Sequence, residues 1–193
     1  KVVPVDQDGN LSIDRFQSML TNKTKLVAVT HMSNVLGTIV PVRQIVELAH
    51  ANGTAVMIDG AQGVVHSKVD VQELGADFYV FTGHKLYGPS GVGVLYGKKE
   101  LLNKMPPYEG GGDMIEIVTF EKSTYRDAPT KFEAGTPPIV EAVGLAAAIE
   151  YIENIGQENI AIHEDNLLKF ATSELQKIPG LSIFGLSEKK AGI

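Results

Sequence analysis

The chain contains no cysteine. Disulfides and thiolate metal sites are therefore excluded, and no cysteine nucleophile lies within these residues. Basic charge is also scarce: 17 Lys and Arg stand against 23 Asp and Glu, a net charge of −6. With no basic block either, the footprint of a nucleic-acid binder is missing, and any small anionic or zwitterionic ligand needs local cationic groups. No apolar stretch reaches the roughly 20 residues of a membrane span, and no signal peptide opens the chain, so the expectation is a cytoplasmic protein that does not enter a membrane. Repeats and low-complexity tracts are absent. So is an initiating methionine: the chain begins Lys1-Val2-Val3-Pro4-Val5, which reads as the middle of a strand, and stops at Ala191-Gly192-Ile193 with no terminal element. We expect a piece of a longer protein.

What is present suits a globular core. The 193 residues are 44% apolar and include 20 glycines, enough to bury a real interior. Ser12 is placed to cap a helix to about residue 20, and residues 26–31 form an apolar run that reads as a strand. A helix is expected from Pro41, with Val42, Ile45, Val46 and Ala49 as its apolar face and Asn52-Gly53 as its stop. Strands follow at 54–59, 78–81 and 92–96, with a short helical turn at 71–74. The alternation is that of βαβ units and predicts an α/β fold with a mainly parallel sheet. Periodicity fails from 103 to 138. Two helices are then expected at 139–155 and 159–178, followed by a strand at 181–184. We place a change of domain near Gly156, with residues 1–155 in a large domain and 156–193 opening a smaller one.

Two residues carry the chemistry. Asp59 closes one buried strand and Lys85 follows another, so acid and amine are delivered at the carboxyl ends of a parallel sheet, where open α/β folds bind their ligands. A lysine there can form a Schiff base, and a carboxylate suits the ring nitrogen of pyridoxal phosphate, whose electron-sink chemistry needs that nitrogen protonated. Gln62 carries an amide able to donate to the phenolic oxygen of the same cofactor. Thr82, Gly83 and His84 cluster small, donor and ring groups suited to a phosphate. Taken singly, Asp59 reads first as a helix cap or surface acid and Lys85 as a solvated charge. Their combination favours the cofactor. His31, His66, Asp59 and His84 lack metal-ligand spacing, no Gly-x-Ser-x-Gly elbow exists, and Gly91-Val92-Gly93 runs into a strand, unlike a dinucleotide fingerprint. His50 and His163 are expected on helix surfaces, and His66 beside the cofactor loop.

The stretches Val56-Met57-Ile58-Asp59-Gly60-Ala61-Gln62, Asp77 through Pro89 with its Thr82-Gly83-His84-Lys85 core, Gly110-Gly111-Gly112-Asp113-Met114-Ile115 and Phe132-Glu133-Ala134-Gly135-Thr136-Pro137 resemble the cysteine desulfurases. The nearest branch is the SUF-type (group II) enzymes and their selenocysteine lyase relatives, within the class V aminotransferases. The resemblance implies a three-layer sheet of the fold-type I pyridoxal-phosphate large domain, with the start of a smaller C-terminal α+β domain. It implies Lys85 and His84 as catalytic residues, and Asp59, Gln62, Thr82, His84 and Lys85 around pyridoxal 5'-phosphate. Asn34 matches an asparagine near the substrate carboxylate or phenolic oxygen, and also reads as a turn residue before Gly37. Thr136 matches a threonine given to the phosphate site of the other subunit, which implies a homodimer with shared active sites. Read locally, Thr136 is a helix N-cap with Pro137 at the first position.

The implied activity of the parent protein is conversion of L-cysteine to L-alanine, with the sulfur held as an enzyme-bound persulfide, passed to an acceptor protein for iron–sulfur cluster assembly. Selenocysteine lyase or another class V aminotransferase is the neighbouring alternative. A non-catalytic binding or dimerisation module is the alternative of another kind. The family's nucleophilic cysteine and its substrate-binding arginine have no match here, so these residues alone are not expected to complete the reaction.

Overall fold

The structure, a computed structural model, describes residues 1–193. Its centre is a four-stranded sheet in the order β1 (Leu26–Thr30), β2 (Ala55–Asp59), β3 (Phe78–Thr82), β4 (Gly93–Gly97). The first three strands are parallel and β4 runs antiparallel to β3. The mainly parallel α/β sheet is thus present, with strand limits within a residue or two of those read from the apolar runs.

Helix α2 (Val42–Ala51) shows why the sequence folds this way. Val42, Ile45, Val46 and Ala49 recur at helical spacing and are all buried against the sheet, Ile45 and Ala49 completely. Each large aliphatic side chain so buried contributes about 1.5 to 3 kcal/mol relative to exposure. Asn52 closes the helix and Gly53 takes the left-handed φ of 70° that ends it. The same face of the sheet offers Val27, Val29, Val56, Ile58 and Tyr79, and α1 (Ile13–Met19) adds Phe16 to that core. Ser12 caps α1 as expected, accepting from Arg15 N at 3.3 Å. Two short helices, α3 (Gly63–His66) and α4 (Val71–Leu74), lie between β2 and β3.

Beyond β4 come α5 (Lys99–Lys104), then α6 (Ile139–Ile155) and α7 (Gln157–Leu175), broken from each other at Gly156. Leu145 and Ile152 of α6 pack with Val65, Leu86 and Val92 in a second small core. That core rests on the segment following β3.

Several expectations are corrected. Residues 103–138 are not wholly irregular: β5 (Ile115–Val118) and β6 (Ser123–Tyr125) form an antiparallel hairpin. These strands are too short and too exposed to leave an alternating pattern. Residues 181–184 form no strand, and near Lys1 only an isolated bridge, Val5 to Leu11, is made. An extended segment becomes a strand only where another edge accepts its hydrogen bonds, which local sequence does not reveal. Thr136 does not cap α6, which begins at Ile139 after Pro138.

His50 is exposed on α2 as expected, and its ring also hydrogen-bonds the buried Asp77. Asp77 is 5% exposed and accepts from His50 Nε2, Lys98 Nζ and Val56 N, each at 2.7 Å. Burial alone would raise its pKa, but the hydrogen bonds from Lys98, His50 and Val56, with the His50 charge, outweigh burial and leave it lowered. A carboxylate whose folded pKa is depressed stabilises the fold above its unfolded pKa, near 4, and that contribution is lost as pH falls through the folded value. Asp77→Ala is expected to destabilise the protein by about 3 kcal/mol at neutral pH. Urea unfolding should show that deficit shrinking as the pH is taken below about 4.

Candidate functional site

The parallel register sets the geometry at the carboxyl edge. Thr30 pairs with Asp59 and Asp59 with Val80, so Asp59 and, two residues beyond Val80, Thr82 lie on one face of the sheet, opposite the α2 core. Asp59 ends β2 with an exposed side chain. One oxygen, Oδ1, accepts from Ala61 N at 3.0 Å, which orients the carboxylate; Oδ2 has no partner within the chain. Gln62 follows in the same turn, half-buried, and its carbonyl begins α3 by accepting from Val65 N and His66 N.

β3 ends at Thr82, and Gly83–Lys85 form one 3-10 turn. Gly83 O accepts from both Leu86 N and Gly88 N, folding the loop tightly around that carbonyl. A Cβ on Gly83 would stand 2.7 Å from Val92 Cγ1, so no other residue fits without displacement. Thr82 Oγ1 and His84 Nδ1 are hydrogen-bonded at 2.9 Å. Lys85 is half-buried, and its amine makes neither an ion pair nor a hydrogen bond in the chain, in contrast to the paired Lys98, Lys169 and Lys177. Tyr87, two residues on, holds a left-handed φ of 57°, a strained conformation of the kind that gathers at functional loops.

Asn34 and Thr136 lie on other segments of the chain and make no side-chain hydrogen bond to this group. Asn34 is exposed in the turn after β1, where Ser33 Oγ accepts from Val35 N and Leu36 N. Thr136 is exposed before α6, next to Gly135, whose N–H donates to Gly112 O at 3.0 Å.

Sequence reasoning missed Tyr79. Its ring lies beneath the turn that carries Asp59 and Gln62, and its hydroxyl meets His31 Nδ1 at 2.9 Å with the rings edge to face. Burial, reinforced by the nearby Asp59 charge, pushes the Tyr79 pKa up, while burial pushes the His31 pKa down. The phenol therefore keeps its proton and faces a neutral imidazole, a pair in which either group can be the donor. The glycines at 60 and 63 were the available signal, since they leave room for such a pair. A Cβ on Gly60 would fall 1.9 Å from Tyr79 Cε1. Gly60→Ala is expected to destabilise the fold by about 3 kcal/mol through overpacking, readable as a lowered denaturation midpoint.

His66, on α3, bonds Glu164 Oε2 at 2.8 Å and ties this turn to α7. His31, His66 and His84 thus have separate partners, and no cluster of three or more His, Cys, Asp or Glu suited to a metal forms.

The donor set fits pyridoxal phosphate: a carboxylate with a free oxygen for a ring nitrogen, an uncommitted amine for an aldehyde, and a hydroxyl, an imidazole and a glycine backbone for a phosphate. An open parallel sheet edge carrying this set is characteristic of one class of enzymes, the pyridoxal-phosphate transferases. The chain belongs to the class-V aminotransferase family, whose profile matches residues 1–193.

Among curated relatives it is 52% identical over its whole length to a probable cysteine desulfurase of Mycolicibacterium paratuberculosis, covering 28% of that protein. It is 50% identical over 96% of its length to a cysteine desulfurase of Escherichia coli, covering 46% of that protein. Among solved structures it superposes on the cysteine desulfurase CsdA of Escherichia coli with a TM-score of 0.88 and 42% identity, covering 92% of this chain and 45% of that one. The apo cysteine desulfurase of Thermococcus onnurineus gives 0.91 and 38%, covering all of this chain and 48% of that one. The chain spans half or less of the length of these relatives. No helix is long and apolar enough to cross a membrane.

Proposed function

We propose that the natural polypeptide is a pyridoxal-phosphate-dependent cysteine desulfurase of the SUF-type branch, converting L-cysteine to L-alanine and delivering the sulfur toward iron–sulfur cluster assembly. The observation that carries this reading is the pairing of a half-free Asp59 carboxylate with an unpartnered Lys85 amine at one sheet edge, in a chain about half identical to cysteine desulfurases. When bound, the cofactor supplies an electron sink for the substrate's α-carbon.

The chain's own residues divide the remaining work. Asp59 Oδ2 would hold the proton on the ring nitrogen, and Gln62 would donate to the phenolic oxygen. Thr82 and His84, already linked, would bind phosphate oxygens. Lys85 would carry the cofactor and then move a proton at the substrate α-carbon. Asn34 would meet the substrate carboxylate or the phenolic oxygen, and Thr136 would reach the phosphate of a second copy in a homodimer.

Because these residues include no cysteine, the thiol that takes the sulfur must be supplied from outside them. We place the boundary between the large and small domains at Gly156, where the backbone breaks between α6 and α7, and the protein in the cytoplasm.

The test is to offer the natural full-length polypeptide, loaded with cofactor, L-cysteine, L-selenocysteine or L-kynurenine and to measure sulfide, selenide and alanine. Alanine formed with sulfide from cysteine supports the reading. Turnover confined to selenocysteine would reassign the protein to selenocysteine lyase, and turnover confined to kynurenine to another class V enzyme.

A further inference from the structure

We propose that the Tyr79–His31 pair is a positioning device for the cofactor loop, holding the backbone of residues 59–63 so that the Asp59 carboxylate and the Gln62 amide meet the cofactor ring together. The inference rests on the reading of the site given above and assigns a positioning role to two side chains outside the proposed cofactor-binding set.

The turn is supported at each of its joints. His31 N–H donates to Asp59 O at 2.8 Å, and Gly60 N–H donates to Val80 O at 2.8 Å, so the backbone entering the turn is tied to both neighbouring strands. Tyr79 lies so close beneath Gly60 that its Cε1, Cζ and Oη all fall within 2.2 Å of where a Cβ would stand. At the far end of the turn, a Cβ on Gly63 would lie 2.6 Å from His31 Nδ1 and 2.8 Å from Tyr79 Oη. The two glycines thus bracket Ala61 and Gln62, with Asp59 directly before the first of them, and the hydrogen-bonded pair packs against both glycines.

A downward shift of the turn is blocked by the rings, and a lateral shift breaks the bonds to β1 and β3. The Tyr79–His31 bond in turn fixes the ring angle at which the two side chains fill that space. After burial, the Asp59 charge is the second cause that raises the Tyr79 pKa, in keeping with a carboxylate held near the phenol.

The test uses the natural full-length polypeptide, stripped of cofactor and titrated with pyridoxal phosphate while its visible absorption band is followed. Tyr79→Phe keeps the ring and removes only the bond to His31; it is expected to weaken cofactor binding by about 5- to 10-fold, the range of one hydrogen bond. His31→Ala should do the same, and His31→Asn, whose amide oxygen can accept in place of Nδ1, should restore most of the loss.

The decisive comparison is a double-mutant cycle with Asp59→Asn. If the pair acts through Asp59, Tyr79→Phe in that background should change affinity by less than about 2-fold. Additive effects, or a Tyr79→Phe protein that binds cofactor as tightly as the parent, would overturn the proposal. Should Tyr79→Phe not fold, the His31 variants carry the same cycle. Absence of the band in the parent protein, or its persistence in Lys85→Ala, would instead refute the cofactor reading itself.

Discussion

Lys85→Ala is expected to abolish the visible absorption band of the cofactor-loaded protein and to lower alanine formation by at least about 10³-fold. The size of the effect follows from the two tasks proposed for this one amine, carrying the cofactor and moving the proton at the α-carbon. A loss of fold should not confound the result. The Lys85 side chain takes part in no hydrogen bond or ion pair, and the loop is held by Gly83 O accepting from Leu86 N and Gly88 N, none of which the substitution touches. Stability should therefore change by no more than about 1 kcal/mol. A Lys85→Ala protein that keeps both its band and its turnover would show that the amine serves some other purpose.

Asp59→Asn is expected to lower turnover by about 10²-fold or more while leaving the protein folded. An adjacent carboxylate favours a protonated ring nitrogen by about 1 to 3 pKa units, and an isosteric amide keeps the shape and loses the charge. The substitution also has a spectroscopic signature independent of turnover. Burial is the first cause of the raised Tyr79 pKa and Asp59 the second, so removing the charge should bring the Tyr79 titration partway back toward the ordinary tyrosine range. Ultraviolet titration of the phenol would record it. A Tyr79 that titrates identically in both proteins, with unchanged turnover, would place the Asp59 charge too far away to serve the ring nitrogen.

The candidate site was more legible in the sequence than its support. Asp59, Gln62, Thr82, His84 and Lys85 each occupy positions where residue type and strand-end placement agree, so chain order alone suggested their chemistry. Tyr79 and Asp77 sit in the same stretch and gave no sign of their roles. A tyrosine within an apolar strand looks like core, and it is core, 1% exposed. Its hydroxyl acquires a partner only because β1 lies two strands away in the sheet and delivers His31, 48 residues earlier in the chain. Asp77 likewise draws His50 from α2 and Lys98 from the end of β4.

The hairpin of β5 and β6 and the missing strand at 181–184 have one origin. Whether an extended segment pairs depends on an available edge, and that depends on the whole arrangement. Helix α2 is the opposite case, since its four apolar contacts, its stop at Asn52-Gly53 and its burial all follow from spacing within ten residues.

The primary structure by itself determined the order of the central strands and their helices and the mainly parallel character of the sheet, and it placed a candidate acid and a candidate amine at strand ends, because apolar periodicity, capping residues and strand-end placement are local properties of a chain. Only the tertiary structure decided which buried polar groups meet: Tyr79 with His31 under the Asp59 turn, Asp77 with His50 and Lys98, His66 with Glu164. Such contacts join residues distant in sequence through the packing of a sheet on its helices, and their strength comes from desolvation, which no residue has until its neighbours are in place.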